Sequence, residues 1–206
     1  MHLTVKVLRE PMRGAEARTK EGVCSTQLGA LAPGDTAFVS ARASGFVLPA
    51  DPAAPLIMVG PGTGIAPFRA FLQQLRAEQS ARGNVRSGHV RLYFGCRRED
   101  EDYIYREELE AYSSDKTLSS LRVAFSRAQA DKVYVQHHVR DDGAELWQML
   151  QQGAHFYICG GTAMGRDVVG ALEGAVASHG GLGAESASAY IKEMQTSGRL
   201  MQELWS

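Results

Sequence analysis

The sequence predicts an α/β fold: a five-stranded parallel sheet with helices on both faces, preceded by a partial antiparallel β-barrel segment. Three observations predict it. Short β-rich runs alternate with segments of helical periodicity from about residue 55 onward. An apolar run ends in a glycine-rich turn that leads straight into a helix. The first 50 residues instead carry isolated β-branched residues among charged and glycine- or proline-bearing turns.

In chain order, Val5, Val7, Val23, Ala37 and Val39 fall in β-like fragments, as in part of an antiparallel barrel, with Leu48 to Ala54 as a hinge. Pro55 to Val59 is the first strand of the sheet and runs into Gly60-Pro-Gly-Thr-Gly64. Pro67 suits the first turn of a helix reaching about Ala81, and Phe68, Phe71, Leu72 and Leu75 recur at helical spacing to bury one face. Val90 to Gly95 is the second strand. The acidic run Glu99 to Asp102 reads as the cap and first turn of a helix from about Tyr103 to Tyr112 rather than as a metal site. Leu121 to Phe125 is a third strand, followed by two short helical pieces between about Val133 and Gln151. A strand at His155 to Cys159, helices at about Met164 to His179 and Ala187 to Thr196, and a last strand within Gly198 to Ser206 complete the pattern.

Composition narrows the function. A formal charge of −1 over 206 residues argues against an overall electrostatic commitment to nucleic acid or anionic membrane. No apolar run approaches the roughly 18 residues of a membrane span, and the start Met-His-Leu-Thr-Val-Lys-Val lacks signal-peptide form, so a cytoplasmic location, or one on the cytosolic face of a membrane, is expected. Cys24, Cys96 and Cys159 are odd in number, far apart and without CxxC spacing, which indicates free thiols and no zinc site.

The glycine turn is suited to an anion. Gly60, Gly62 and Gly64 permit backbone angles and close approach that a side chain would block, and the amides at the start of the next helix face a ligand with the favourable end of the macrodipole. It is not a Walker A loop, which needs Gly-Lys-Ser/Thr at its end, and a GxGxxG reading from Gly62 puts Pro67 where the third glycine belongs. A plain structural turn is the alternative. If the strands are parallel, their carboxyl ends gather Gly60 to Gly64, Gly95 to Arg98, Ser126-Arg127 and Cys159 to Thr162. Ser126 and Arg127, with Lys132, offer a hydroxyl and a forked guanidinium suited to a dianionic phosphate monoester such as the 2′-phosphate of NADP, against the alternative of a solvated turn.

From about Pro55 onward these motifs resemble the NADPH-binding module of the diflavin reductases, of the NADPH-cytochrome reductase type, within the ferredoxin-NADP reductase superfamily. The resemblance rests on Pro55-Leu-Ile-Met-Val-Gly-Pro-Gly-Thr-Gly-Ile-Ala-Pro-Phe68, Tyr93-Phe-Gly-Cys-Arg-Arg98, Glu101-Asp-Tyr-Ile-Tyr-Arg-Glu-Glu-Leu109, Val123-Ala-Phe-Ser-Arg-Ala-Gln129, Lys132-Val-Tyr-Val-Gln-His137, Tyr157-Ile-Cys-Gly160 and the terminal Trp205-Ser206. Lys20-Glu-Gly-Val-Cys-Ser-Thr26 resembles the family's flavin-contacting segment. The resemblance implies a Rossmann-like NADP-binding domain at 51–206 and the C-terminal part of an FAD-binding barrel at 1–50.

It also implies roles. Gly62 and Thr63, with Arg97 a further candidate, would take the pyrophosphate of NADPH. Ser126, Arg127, Lys132, Tyr134 and Gln136 would surround the 2′-phosphate and adenosine. Cys159 would lie beside the nicotinamide, Met164 and Asp167 would border its ribose and amide, and Trp205 would lie on the flavin until nicotinamide displaces it. Glu203 stands where the family usually has an aspartate near the reacting atoms. Val23, Cys24 and Ser25 would contact FAD, whose site is incomplete in this chain, and FMN would belong only to an absent domain of a parent protein. The activity implied is hydride transfer from NADPH to FAD and onward through FMN to a haem or other acceptor protein, with little turnover by this piece alone. Cys159-Gly-Gly-Thr-Ala-Met164 is one residue shorter than the family pattern, which bears on Met164. The alternative function is a non-catalytic NADP-binding or redox-sensing domain that uses Cys159 as its switch.

Overall fold

A computed structural model describes residues 2–12, 15–82 and 88–205, so Ser206 of the terminal motif lies outside the described residues. The chain divides into two compact units, Met1–Gly45 and Phe46–Ser206.

In the first unit, β1 (Arg9–Met12) pairs antiparallel with β2 (Ala15–Glu21), and helix α1 (Val23–Ala30) follows. The antiparallel segment is thus a two-stranded ribbon, and the expected β-fragments are corrected: Val23 starts a helix, and Val5, Val7, Ala37 and Val39 lie outside strands. The physical reason is local. Gly22 N donates to Leu8 O at 3.0 Å, and the Ser25 hydroxyl accepts from Leu8 N at 3.1 Å while donating to Gly22 O at 3.3 Å. This staple turns the chain into a helix one residue after the ribbon ends. Leu3, Val5 and Val7 alternate as in a strand, but all three are exposed, so no buried face holds this segment in the ribbon.

The second unit is one five-stranded parallel sheet in the order β5-β4-β3-β6-β7. Its strands are β3 (Leu56–Val59), β4 (Val90–Cys96), β5 (Ser120–Phe125), β6 (His155–Gly161) and β7 (Leu200–Trp205). The helices are α2 (Ile65–Arg82), α3 (Glu99–Asp102), α4 (Arg106–Ser114), α5 (Val135–Asp141), α6 (Gly143–Gln151), α7 (Thr162–Gly180) and α8 (Ala184–Thr196). β3 alternates its burden: Leu56 and Met58 join α2 and α4 in one core, and Ile57 and Val59 join α5, α6, α7 and α8 in the other. On α2, Ile65, Phe68, Phe71, Leu72 and Leu75 are buried, as their spacing predicts. Phe46 closes this face, its ring centroid 5.9 Å from those of Phe68 and Phe71 and 5.2 Å from that of Tyr157.

The acidic run differs from its expected form. Glu99–Asp102 is a separate single turn, and α4 begins only at Arg106, because Tyr105 takes a left-handed conformation (φ 58°) that breaks the helix between them. The ring contacts account for the break: Tyr103 stacks on Phe94 with centroids 5.4 Å apart, and the Arg69 guanidinium lies 4.5 Å from the Tyr105 ring centroid.

Topology fixes where a ligand can sit. Beyond β3 the chain steps to β4 and β5 on one side, then crosses to β6 and β7 on the other. The connections leaving β3 and β6 therefore diverge to opposite faces, opening a crevice at the carboxyl edge between them.

Candidate functional site

The glycine turn occupies that crevice. Gly60 N donates to Tyr93 O at 3.0 Å, and Gly64 N donates to Pro61 O at 3.0 Å, closing a single 3-10 turn (Gly62–Gly64) ahead of α2. A Cβ on Gly60 would lie 2.5 Å from Gly64 O, and one on Gly64 would lie 2.1 Å from Cys159 O, so the turn rests directly on the end of β6. Gly62 differs from both. It is exposed with φ +56°, and nothing lies within 4 Å of where its Cβ would be. The turn thus presents an open, side-chain-free surface at Gly62 and Thr63, beside the first-turn amides that no helical carbonyl can reach. That is a cradle for an anionic group.

The second part of the site hangs from the end of β4. Ser126 N donates to Cys96 O at 2.9 Å and Arg127 N to Arg97 O at 2.9 Å, while the Ser126 hydroxyl also donates to Cys96 O at 3.3 Å. Arg127 and Lys132 are exposed. Arg97 does not point its charge freely at a ligand: its Nε donates to Asp102 Oδ2 at 3.0 Å. Asp102 Oδ1 also accepts from the amides of Arg97 and Arg98, each at 2.9 Å. Burial alone would raise the Asp102 carboxyl, but these amides and the Arg97 guanidinium outweigh it and hold the group below the ordinary carboxylate value. Sequence reasoning made Asp102 part of a helix cap and missed this function. Its signal was an aspartate shortly beyond a strand end, spaced to fold back on the amides of the turn.

Tyr134 caps α5, its carbonyl accepting from His137 N at 3.0 Å, and the residue as a whole is 41% exposed. Two residues on, Gln136 Nε2 donates to Asp167 Oδ2 at 3.3 Å, and Gln136 Oε1 is a buried acceptor with no hydrogen-bond partner among the described residues. Asp167 lies beyond the first turn of α7 and binds α5. The orphaned amide oxygen is what an absent donor would satisfy, so these residues fit a bound nucleotide.

At the β6 and β7 ends, register pairs Cys159 with Glu203 and Gly161 with Trp205, which places Cys159, Glu203 and Trp205 on one face of the sheet. Cys159 is 4% exposed, and burial, then the Glu203 carboxylate, push its thiol up to about 11. Trp205 is 46% exposed, and its carbonyl accepts from the Thr162 hydroxyl at 3.1 Å, tying β7 to the start of α7. Met164 lies over Gly160, whose Cβ would come 2.3 Å from Met164 Cε, with Pro61 Cδ at 3.7 Å. Met164 therefore covers the end of β6 at Gly160.

In the first unit, Val23 (84% exposed) and Cys24 sit at the start of α1, whereas the Ser25 hydroxyl is engaged in the staple described above.

Comparison with known proteins gives consistent matches. Residues 58–170 match the family described as Oxidoreductase NAD-binding domain. NADPH-cytochrome P450 reductase of Homo sapiens is 44% identical over 196 residues, covering 92% of this chain and 29% of that protein. The same-named protein of Mus musculus is 46% identical over 191 residues, covering 92% of this chain and 27% of its own length. The sulfite reductase [NADPH] flavoprotein alpha-component of Yersinia enterocolitica is 40% identical over 208 residues, covering 100% of this chain and 33% of its own. The chain thus spans about 30% of the length of the curated relatives it matches.

Proposed function

Because the chain belongs to the oxidoreductase NAD-binding domain family, we propose that it is the NADPH-binding, electron-input module of a diflavin reductase, serving a haem or other acceptor protein through its parent. The observation that carries this reading is the convergence of two anion-suited turns on one edge of the sheet: the open Gly62 cradle after β3, and the Ser126-Arg127 turn suspended from the β4 end. Gly62 and Thr63 take the pyrophosphate. Ser126, Arg127 and Lys132 take the 2′-phosphate, with Tyr134 against the adenosine and the orphaned Gln136 oxygen accepting from it. Arg97 contributes through its backbone and its pairing with Asp102.

Cys159, Glu203 and Trp205 share the face that receives the nicotinamide end. Cys159 stays a protonated thiol there, which suits a small packing group and opposes a redox-sensing role, since thiolate is the reactive form. Trp205, half-exposed on the edge strand, excludes nicotinamide until the adenosine end is anchored, favouring NADPH over NADH. Met164 and Asp167 border the ribose. Residues 1–50 form the end of an FAD-binding domain, with Val23 and Cys24 at the α1 amino terminus facing the flavin and Ser25 holding that turn in place. When bound in the parent, the flavin supplies the hydride acceptor and passes electrons toward FMN. Among the described residues no helix is long and apolar enough to cross a membrane. Alone it shows little turnover.

Calorimetric titration of the 206-residue chain with 2′-phospho-AMP and AMP tests the reading without flavin. Clear preference for 2′-phospho-AMP is expected. Equal affinity for the two would sink it.

A further inference from the structure

We propose that Asp102 is a positioning residue for the phosphate pocket, setting the Ser126-Arg127 turn by gripping the two peptide units from which that turn hangs. This rests on the nucleotide reading above and extends it to a residue with no ligand contact of its own. The peptide unit joining Cys96 and Arg97 is held on both sides: its N–H donates to Asp102 Oδ1 at 2.9 Å, and its carbonyl accepts from Ser126 N at 2.9 Å and Ser126 Oγ at 3.3 Å. The next unit repeats the arrangement, its N–H donating to the same Oδ1 at 2.9 Å and its carbonyl accepting from Arg127 N at 2.9 Å. One carboxylate oxygen therefore fixes both peptide planes, and each bond to the charged group polarises the carbonyl on the far side of its peptide. The second oxygen draws the Arg97 guanidinium down at 3.0 Å.

Arg127 is exposed, and its backbone N–H hangs from this ladder, which sets where the side chain starts. The arrangement also runs against simple electrostatics. A carboxylate next to a phosphate pocket repels the ligand and neutralises Arg97, so on charge alone its removal tightens phosphate binding. On the positioning argument its removal weakens binding. The two expectations differ in sign, which makes the experiment decisive.

The test titrates 2′-phospho-AMP and AMP into the full chain and into the Asp102→Ala, Asp102→Asn, Asp102→Glu and Arg127→Ala variants and the Ala/Ala double variant. Asp102→Ala should lower the preference for 2′-phospho-AMP about tenfold while leaving AMP affinity in place, as expected for loss of two charge-assisted backbone bonds. Asp102→Asn keeps an oxygen for both amides and gives up the charge and the Arg97 pairing, so it should retain most of the preference. In the Arg127→Ala background, Asp102→Ala should lower the preference no further. If Asp102→Ala does not fold, Asp102→Glu carries the comparison, because it keeps the charge and displaces the oxygens; the preference should fall there too. A preference that stays level or rises in Asp102→Ala or Asp102→Glu, while Arg127→Ala lowers it, overturns the positioning role alone. Unchanged preference in Arg127→Ala overturns the phosphate pocket and this inference with it.

Discussion

Two arginine–aspartate clusters mark opposite edges of the sheet, and they do opposite work. At the amino edge, Arg91 is 6% exposed near the start of β4, and its Nη1 donates to Asp142 Oδ2 at 3.1 Å and to the Tyr93 hydroxyl at 3.2 Å, while Nη2 pairs with Glu145. The Tyr93 hydroxyl donates to the same Asp142 oxygen at 2.9 Å, and Arg122 Nη1 lies 3.6 Å from Asp142 Oδ1. His138 completes the tie, its Nδ1 accepting from Arg122 Nη2 and its Nε2 donating to Val123 O, each at 3.2 Å. This network bolts the α5–α6 corner onto β4 and β5. At the carboxyl edge, Arg97 and Asp102 form an equally specific arrangement, but the arginine is exposed and the bonds fall mostly on backbone. Burial separates the two. A buried charge must be satisfied by its own neighbours and becomes structure, whereas a turn held by its backbone leaves adjacent side chains free to meet a ligand.

Breaking the buried cluster should give the largest effect. Arg91→Ala leaves Asp142 with fewer donors in a low-dielectric site and should cost about 3 kcal/mol in urea unfolding, while the folded fraction keeps its 2′-phospho-AMP preference. A loss of preference without a loss of stability would reverse the division between the two edges. Arg127→Ala should show the mirror image, with affinity for 2′-phospho-AMP down about tenfold or more and stability within about 0.5 kcal/mol of the parent chain. The smallest effect concerns acid. Because the folded Asp102 value lies below the ordinary one, its contribution is present above about 3.8 and is lost as pH falls through the lower folded value. Stability measured from pH 5 downward should therefore fall slightly less steeply in Asp102→Asn than in the parent. Identical slopes would show that the turn contributes nothing to the fold.

These differences also mark what the sequence makes legible. Leu56 to Gly64 declares a buried strand and a tight turn because its chemistry is local: β-branched and long apolar residues, then glycines where a Cβ would strike backbone. Ser126 and Arg127 could be placed at the carboxyl edge because strand ends are readable and parallel order puts them together. Asp102 was not legible, since an aspartate in an acidic run fits a helix cap equally well until Tyr105 is seen to break the helix. Nor was the Gln136–Asp167 bond, which joins residues on helices far apart in the chain. The first unit misled for a different reason. None of its described residues is buried, so the burial pattern that distinguishes strand from helix is absent there.

The contact of Gly64 with the carbonyl of Cys159 has a consequence for assembly. β3, β4 and β5 can pair as soon as they are made, but the glycine turn is not braced until β6, some 90 residues further along, docks against β3. On the proposed reading, the pyrophosphate half of the site is thus completed late, after the chain has crossed from one half of the sheet to the other. On that reading, an immobilised ligand that carries a pyrophosphate would accordingly hold finished molecules more firmly than half-built ones, giving the bench biochemist a filter for completed folding.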